Sequence, residues 1–290
     1  LCSILILIVS YYGFKNKKIS SISLISIIVT LGIGIDYLFQ LNTEVSNAIY
    51  YWGIIKSNEN LISEILIQDK KDIKNINLNS GKIQFKNVSF GYNNKKIINN
   101  FNYIINDKEK IAVMGRSGSG KTTIMKLLIN LHKIDNGEIL IDNYNIQNID
   151  TYYLRNNIIY INQKTILFEK SIIENMKYGT NKSDNDIINL LEKYDLMVNF
   201  NNLPNSIKTN AGVNGNNLSL GMQKIVLLIR GILKNGIIYI FDEPLTSLDS
   251  KTRNKVIKML NKELKEKTVI IITHDKEILP HVNKILKIGN

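Results

Sequence analysis

Residues 115–122, Gly115-Arg116-Ser117-Gly118-Ser119-Gly120-Lys121-Thr122, match the phosphate-binding loop pattern without a mismatch. Glycines let successive backbone N–H groups turn inward around phosphate oxygens, and a helix starting at Lys121 points its positive end at the same place. Lys121 is expected to reach the β- and γ-phosphates and the Thr122 hydroxyl to ligate Mg2+, with Thr123 closing the binding run. Further on, the apolar run 237–241 leads into Asp242-Glu243. Two acids at the end of a buried strand need a partner, because an unpaired buried charge is costly. Mg2+ is the expected partner of Asp242. Glu243 is then free to orient and deprotonate an attacking water. Together the two motifs predict binding and hydrolysis of a nucleoside triphosphate.

A scaffold has to bring these motifs together. Residues 82–90 alternate in strand fashion, and residues 110–114 form a short strand that ends at the glycine loop. Residues 127–131 are expected to continue the helix after that loop. Further strands are expected at 138–141, 158–161, 237–241, 269–273 and 285–288. Helices are expected at 183–194, 220–234 and 251–265. Strands alternating with helices predict an α/β fold with a mainly parallel sheet and crossover helices.

The first 41 residues differ from the rest. Residues 1–14 are apolar but short, and Lys15, Asn16, Lys17 and Lys18 interrupt them. Residues 19–41 have the length of a membrane helix, with Asp36 as their one acid. Small residues such as Ser23, Ser26, Gly32 and Gly34 suit close helix packing in lipid. Residues 42–66 carry apolar side chains at helical spacing and read as a helix leaving the membrane; residues 67–80 read as a linker. The chain opens in an apolar run without an initiator Met, and its true N-terminus is expected upstream. The net charge of +12 rests on lysines scattered among Ile and Asn, with only four arginines among 37 basic residues. No basic stripe interleaved with aromatics is present in the sequence, so no nucleic acid is expected as partner. The single cysteine, Cys2, excludes an intramolecular disulfide.

Further motifs stand in an order and spacing that resembles the ABC (ATP-binding cassette) ATPases, from about Gly81 to the end. The phosphate loop alone does not distinguish that family; the others do. In this resemblance Tyr92, in Ser89-Phe90-Gly91-Tyr92, stacks on adenine. Gln163 is the Q-loop glutamine, which senses Mg2+ and water. Leu218-Ser219-Leu220-Gly221-Met222 stands at the family's LSGGQ signature, Ser247-Leu248-Asp249 is the D-loop, and His274 is the switch histidine that holds the γ-phosphate. His132 and His281 match nothing and read as structural. The flanking residues 81–90 and 167–175 are similar to exporter-type cassettes fused behind a six-helix membrane domain.

The resemblance implies an ABC-type P-loop NTPase with a helical subdomain, in residues 81–290, preceded by the end of a transmembrane domain in residues 1–66. It implies ATP and Mg2+ as cofactors, a multi-pass membrane protein with its ATPase on the cytosolic side, and membrane lipid and an unknown transported substrate as partners. Two half-transporters, identical or not, pair head to tail. ATP held by residues 115–123 of one is capped by Ser219 and Gly221 of the other. Three departures stand out: Leu220 and Met222 replace Gly and Gln of the signature, and Val213 replaces a usual Glu just before it. Lys15, Lys17 and Lys18 also fall on the non-cytosolic side, against the positive-inside tendency. The alternatives are a soluble ABC ATPase or a regulatory cassette with little turnover.

Overall fold

The computed structural model describes residues 2–57, 76–92 and 95–289. The chain forms two compact units, Leu1–Lys70 and Lys71–Asn290. In the first, α1 (Cys2–Lys15) reverses into α2 (Ser21–Ser57). The Lys18 N–H donates to the Gly13 carbonyl at 2.9 Å, and Lys17 takes a left-handed φ of 56°. A Cβ on Gly13 would lie 2.6 Å from Ile19 Cδ1, so a larger residue there would push the tip of the Ile19 side chain aside. α2 has 37 residues, a length of about 55 Å against a hydrocarbon core of about 30 Å. Its most apolar window has mean hydropathy 2.1 and is entirely unburied. Among the described residues it is the one helix long and apolar enough to cross a membrane. It runs without a break through the expected span and on to Ser57. The remainder of the expected extension, residues 58–66, and residues 67–75 of the linker lie outside the described residues.

The second unit contains β1 (Ile83–Tyr92), β2 (Lys95–Ile105), β3 (Lys110–Met114), α3 (Lys121–Leu128), β4 (Asn136–Ile141), β5 (Tyr144–Asn145), α4 (Thr151–Asn157), β6 (Ile158–Ile161), α5 (Ile172–Lys177), α6 (Asp184–Lys193), α7 (Leu220–Leu233), β7 (Ile238–Asp242), α8 (Ser250–Glu263), β8 (Thr268–Ile272) and β9 (Lys284–Lys287). A five-stranded sheet, order β6-β7-β8-β3-β9, is parallel throughout. A strand covered on both faces must be apolar along its whole length, and every residue of β7 and β8 is buried. Their side chains divide with period two. Ile238, Ile240, Ile270 and Ile272 enter one core, with β1, β4 and α3; Tyr239, Phe241, Val269 and Ile271 enter the other, with α5, α6, α7 and α8. The sheet is therefore the wall between two cores.

A second, antiparallel sheet, order β2-β1-β4-β5, is separate from the parallel one in strand pairing and packs on it across the first core. The sequence pattern did not lead to β2. It buries only Ile98 and Ile105 outright, and its lysines and asparagines blur the alternation. The helix expected to run through residue 131 ends at Leu128, where Asn130 turns to a φ of 53°. The second unit is anchored at its entry by Asp142. Its carboxylate accepts from the N–H groups of Asn79, Ser80 and Lys82 at 2.8–2.9 Å and from the Ser80 hydroxyl.

Candidate functional site

The phosphate loop lies between the end of β3 and the start of α3. Its glycines are required by contacts as well as by dihedrals. Gly120 has φ 92° and ψ 4°, and a Cβ on it would lie 2.7 Å from Ile98 Cδ1. Gly118 has φ 80° with open space beside it, and a Cβ on Gly115 would collide with the Ile288 carbonyl. With Gly120 as its N-cap, α3 begins without a side-chain cap. Its first N–H groups therefore face the loop without a side-chain acceptor, the arrangement that receives an anion. Lys121 is mostly buried, and its ammonium donates to the carbonyls of Gly115 and Arg116 at 2.7 and 2.9 Å. The Ser119 hydroxyl is buried and has no hydrogen-bond partner.

The parallel sheet delivers the acids to the same place. β7 ends at Asp242, which is 8% exposed. Burial pushes its carboxyl above the ordinary range, and the neighbouring Glu243 pushes the same way, while Lys224 and Lys121 pull it back. The Tyr160 hydroxyl, on neighbouring β6, is buried beside Asp242, and burial together with that carboxylate raises it well above its usual range. Glu243 has a φ of 51°, rare for a non-glycine residue. Its N–H donates to the Ile272 carbonyl of β8 at 2.9 Å. Its Oε1 lies 4.0 Å from Nε2 of His274, which is exposed.

These elements enclose a cleft of about 570 Å³. Ser117, Gly118, Gly120, Lys121, Thr122, Thr123, Gln163, Asp242, Glu243 and His274 all line it. Gly115 and Ser119 belong to the loop behind that wall. Tyr92, Ser219 and Gly221 are not part of the lining. Tyr92 is exposed at the end of β1, edge-on to Phe90 and to His132 at centroid distances of 4.8 and 5.4 Å. His132, which the sequence leaves without a role, stacks on Phe90 at 5.6 Å. Ser219 caps α7 by accepting from the Met222 N–H. A Cβ on Gly221 would lie 2.8 Å from the Ser247 carbonyl, so that glycine lets α7 approach the D-loop. Ile97, Thr246 and Ile272 also line the cleft and were not singled out in sequence. Ile97 belongs to the unread β2, while Thr246 and Ile272 carry no signal of their own.

The oxygen groups in the cleft suit a hard divalent cation. Asp242, Thr122 and Gln163 offer a carboxylate, a hydroxyl and an amide oxygen. Among the described residues no cluster of His, Cys, Asp and Glu forms a metal cage. Magnesium is typically held by one or two protein oxygens together with substrate phosphates, so the residues fit it.

The fold and cleft define a P-loop nucleotide-binding domain of the α/β class. The ABC transporter family model matches residues 98–246, just over half of the chain, and the chain belongs to that family. It is 38% identical over 202 residues to the ABC transporter ATM1 of Plasmodium falciparum, covering 69% of this chain and 19% of that protein. It is 34% identical over 231 residues to an ATM1 named as a mitochondrial iron–sulfur clusters transporter in Debaryomyces hansenii, covering 77% of this chain and 33% of that one. An ATP-dependent lipid A-core flippase of Syntrophus aciditrophicus is 29% identical over 288 residues, covering 96% and 47%. The chain thus spans between about a fifth and a half of the length of these relatives. A bacterial Atm1-family ABC exporter, solved with ATP bound, superposes with a TM-score of 0.78 at 24% identity over 96% of this chain and 50% of that one. At that identity the likeness establishes the fold.

Proposed function

We propose that this chain is the C-terminal part of an exporter-type ABC half-transporter, which binds and hydrolyses ATP to move an unknown substrate across a membrane. The observation that carries the reading is the convergence of loop, acids and switch histidine on one cleft. Residues 115–123 hold the phosphates through backbone N–H groups, Lys121 and the start of α3. Lys121 exchanges the two loop carbonyls for phosphate oxygens, because an ammonium gains more from an anion than from neutral acceptors. Thr122, Asp242 and Gln163 would hold Mg2+, which neutralises charge on the phosphates when bound. Glu243 accepts the proton of the attacking water, and His274 and Gln163 hold the γ-phosphate and the water in line. Tyr92, supported by Phe90 and His132, stacks on the adenine.

Ser219 and Gly221 serve the second cassette of a head-to-tail homo- or heterodimer, which explains why they lie outside this chain's own cleft. Closure of that interface excludes water and completes the site. The domain division proposed is 1–66 for the end of a multi-pass membrane domain, set among lipid, 67–80 for a linker and 81–290 for a cassette in the cytosol. Unburied, apolar α2 supports the membrane assignment. The test is nucleotide binding by the whole chain in detergent, followed with a fluorescent ATP. Lys121→Ala should abolish most Mg2+-ATP binding; unchanged affinity would refute the assignment of the loop.

A further inference from the structure

α7 carries a lysine that neither the loop nor the acids explain. Lys224 is 9% exposed. Among the described residues its ammonium has no hydrogen bond or ion pair within contact distance. It lines a cavity of about 190 Å³ together with Gln163, Thr165, Gln223, Thr246 and Ser247, and no carboxylate lines that cavity. Gln163 and Thr246 also line the nucleotide cleft, so the two spaces share a wall. Across that wall stand Asp242 and Glu243, and both act electrostatically on Lys224. Lys121, the other cation acting on Asp242, is already engaged by two carbonyls.

The Lys224 stem is buried and its head opens on this cavity, and burial still disfavours its charge. Here the adjacent acid pair offsets part of that cost. Two neighbouring carboxylates repel each other, and one nearby cation relieves both. A divalent ion bound at Asp242 would change the balance: it supplies the counter-charge itself and repels the ammonium. The long, flexible stem of a lysine allows its head to withdraw into the adjoining cavity.

We infer that Lys224 is a positioning residue, a resident cation that balances the Asp242–Glu243 pair while no metal is bound and opposes the metal as it loads. The inference rests on the nucleotide cleft proposed above. It makes Lys224 a determinant of how strongly nucleotide binding depends on Mg2+. The charge favours metal-free ATP more than Mg2+-ATP, which carries two fewer net negative charges, so its removal weakens the first more than the second.

The experiment measures the affinity of the whole chain for fluorescent ATP, once in excess EDTA and once in saturating Mg2+. Lys224→Met and Lys224→Gln are compared with the unaltered chain. The expected result is a rise in the ratio of Mg2+ to EDTA affinity of roughly 3–30-fold in both variants, the scale of one charge acting across a partly screened gap. A residue that only packs α7 would weaken both affinities alike and leave the ratio where it was. A ratio that stays constant or falls therefore overturns the role of Lys224. If the unaltered chain binds no ATP under either condition, the proposed function fails, which is a different result.

Discussion

Leu220 and Met222 are the residues that most distinguish this cassette from the family's signature, and their placement says what they do within one chain. Leu220 is the first residue of α7, keeps a negative φ and is 67% exposed. Nothing in its own fold requires glycine there. Met222 is partly buried against the core of the helical side. Ser219 keeps the cap, and Gly221 keeps the close approach to Ser247. In the dimer proposed above, the cost of Leu220 falls on the surface offered to the partner, whereas Met222 also packs against this chain's own core. Glycine there allows closer approach of a second backbone, and glutamine adds a polar group. Leu220→Gly with Met222→Gln, made in a Glu243→Gln background, should strengthen ATP-driven self-association, read by equilibrium sedimentation with Mg2+-ATP. Unchanged or weaker association would make both residues neutral variation.

At the scale of elements, the parts of the site that sequence revealed most clearly are those whose chemistry is local. The glycine loop, the apolar β7 and its terminal acids each carry their signal within a few residues. β2 was missed because its environment is tertiary: a mostly exposed antiparallel strand that contacts Gly120 through Ile97 and Ile98. α5 did carry a local signal that went unread, the capping box between Ser171 and Glu174. Lys224 was invisible because a lysine in a helix reads as surface, and only the fold sets it in a cavity that shares residues with the nucleotide cleft. Asp142 likewise sits in a plain turn, yet it holds the entry to the second unit through four donors. Burial raises its carboxyl, but those hydrogen bonds outweigh burial and leave it below its ordinary value. Its folded value thus lies below the unfolded one, near 3.9. The stability it contributes is complete above that pH and is lost as pH falls through the folded value. Asp142→Asn should lower stability at neutral pH by about 1–2 kcal/mol, the scale of charge-assisted hydrogen bonds on a half-exposed group. In denaturant titrations the gap from the unaltered chain should close as the pH drops below about 4. A gap that persists at low pH would show that the carboxylate charge is not its cause.

At the scale of the whole molecule, two units with different surfaces share one chain. α2 presents Ile22, Ile25, Ile28, Val29 and Ile33 to its surroundings, side chains that water penalises and lipid does not. The second unit buries its apolar residues in two cores around a parallel sheet and leaves its polar chemistry at the end of β3 and β7. That is the end of an α/β sheet where ligands bind, outside the carboxyl ends of the strands. We propose that this cleft hydrolyses ATP with Glu243 as base. This is tested most directly by measuring phosphate release and ATP binding side by side for the whole chain and for Glu243→Gln. The variant should retain binding while its hydrolysis falls by roughly 10²–10⁴-fold, the scale of general-base catalysis. Hydrolysis by Glu243→Gln at the rate of the unaltered chain would contradict it.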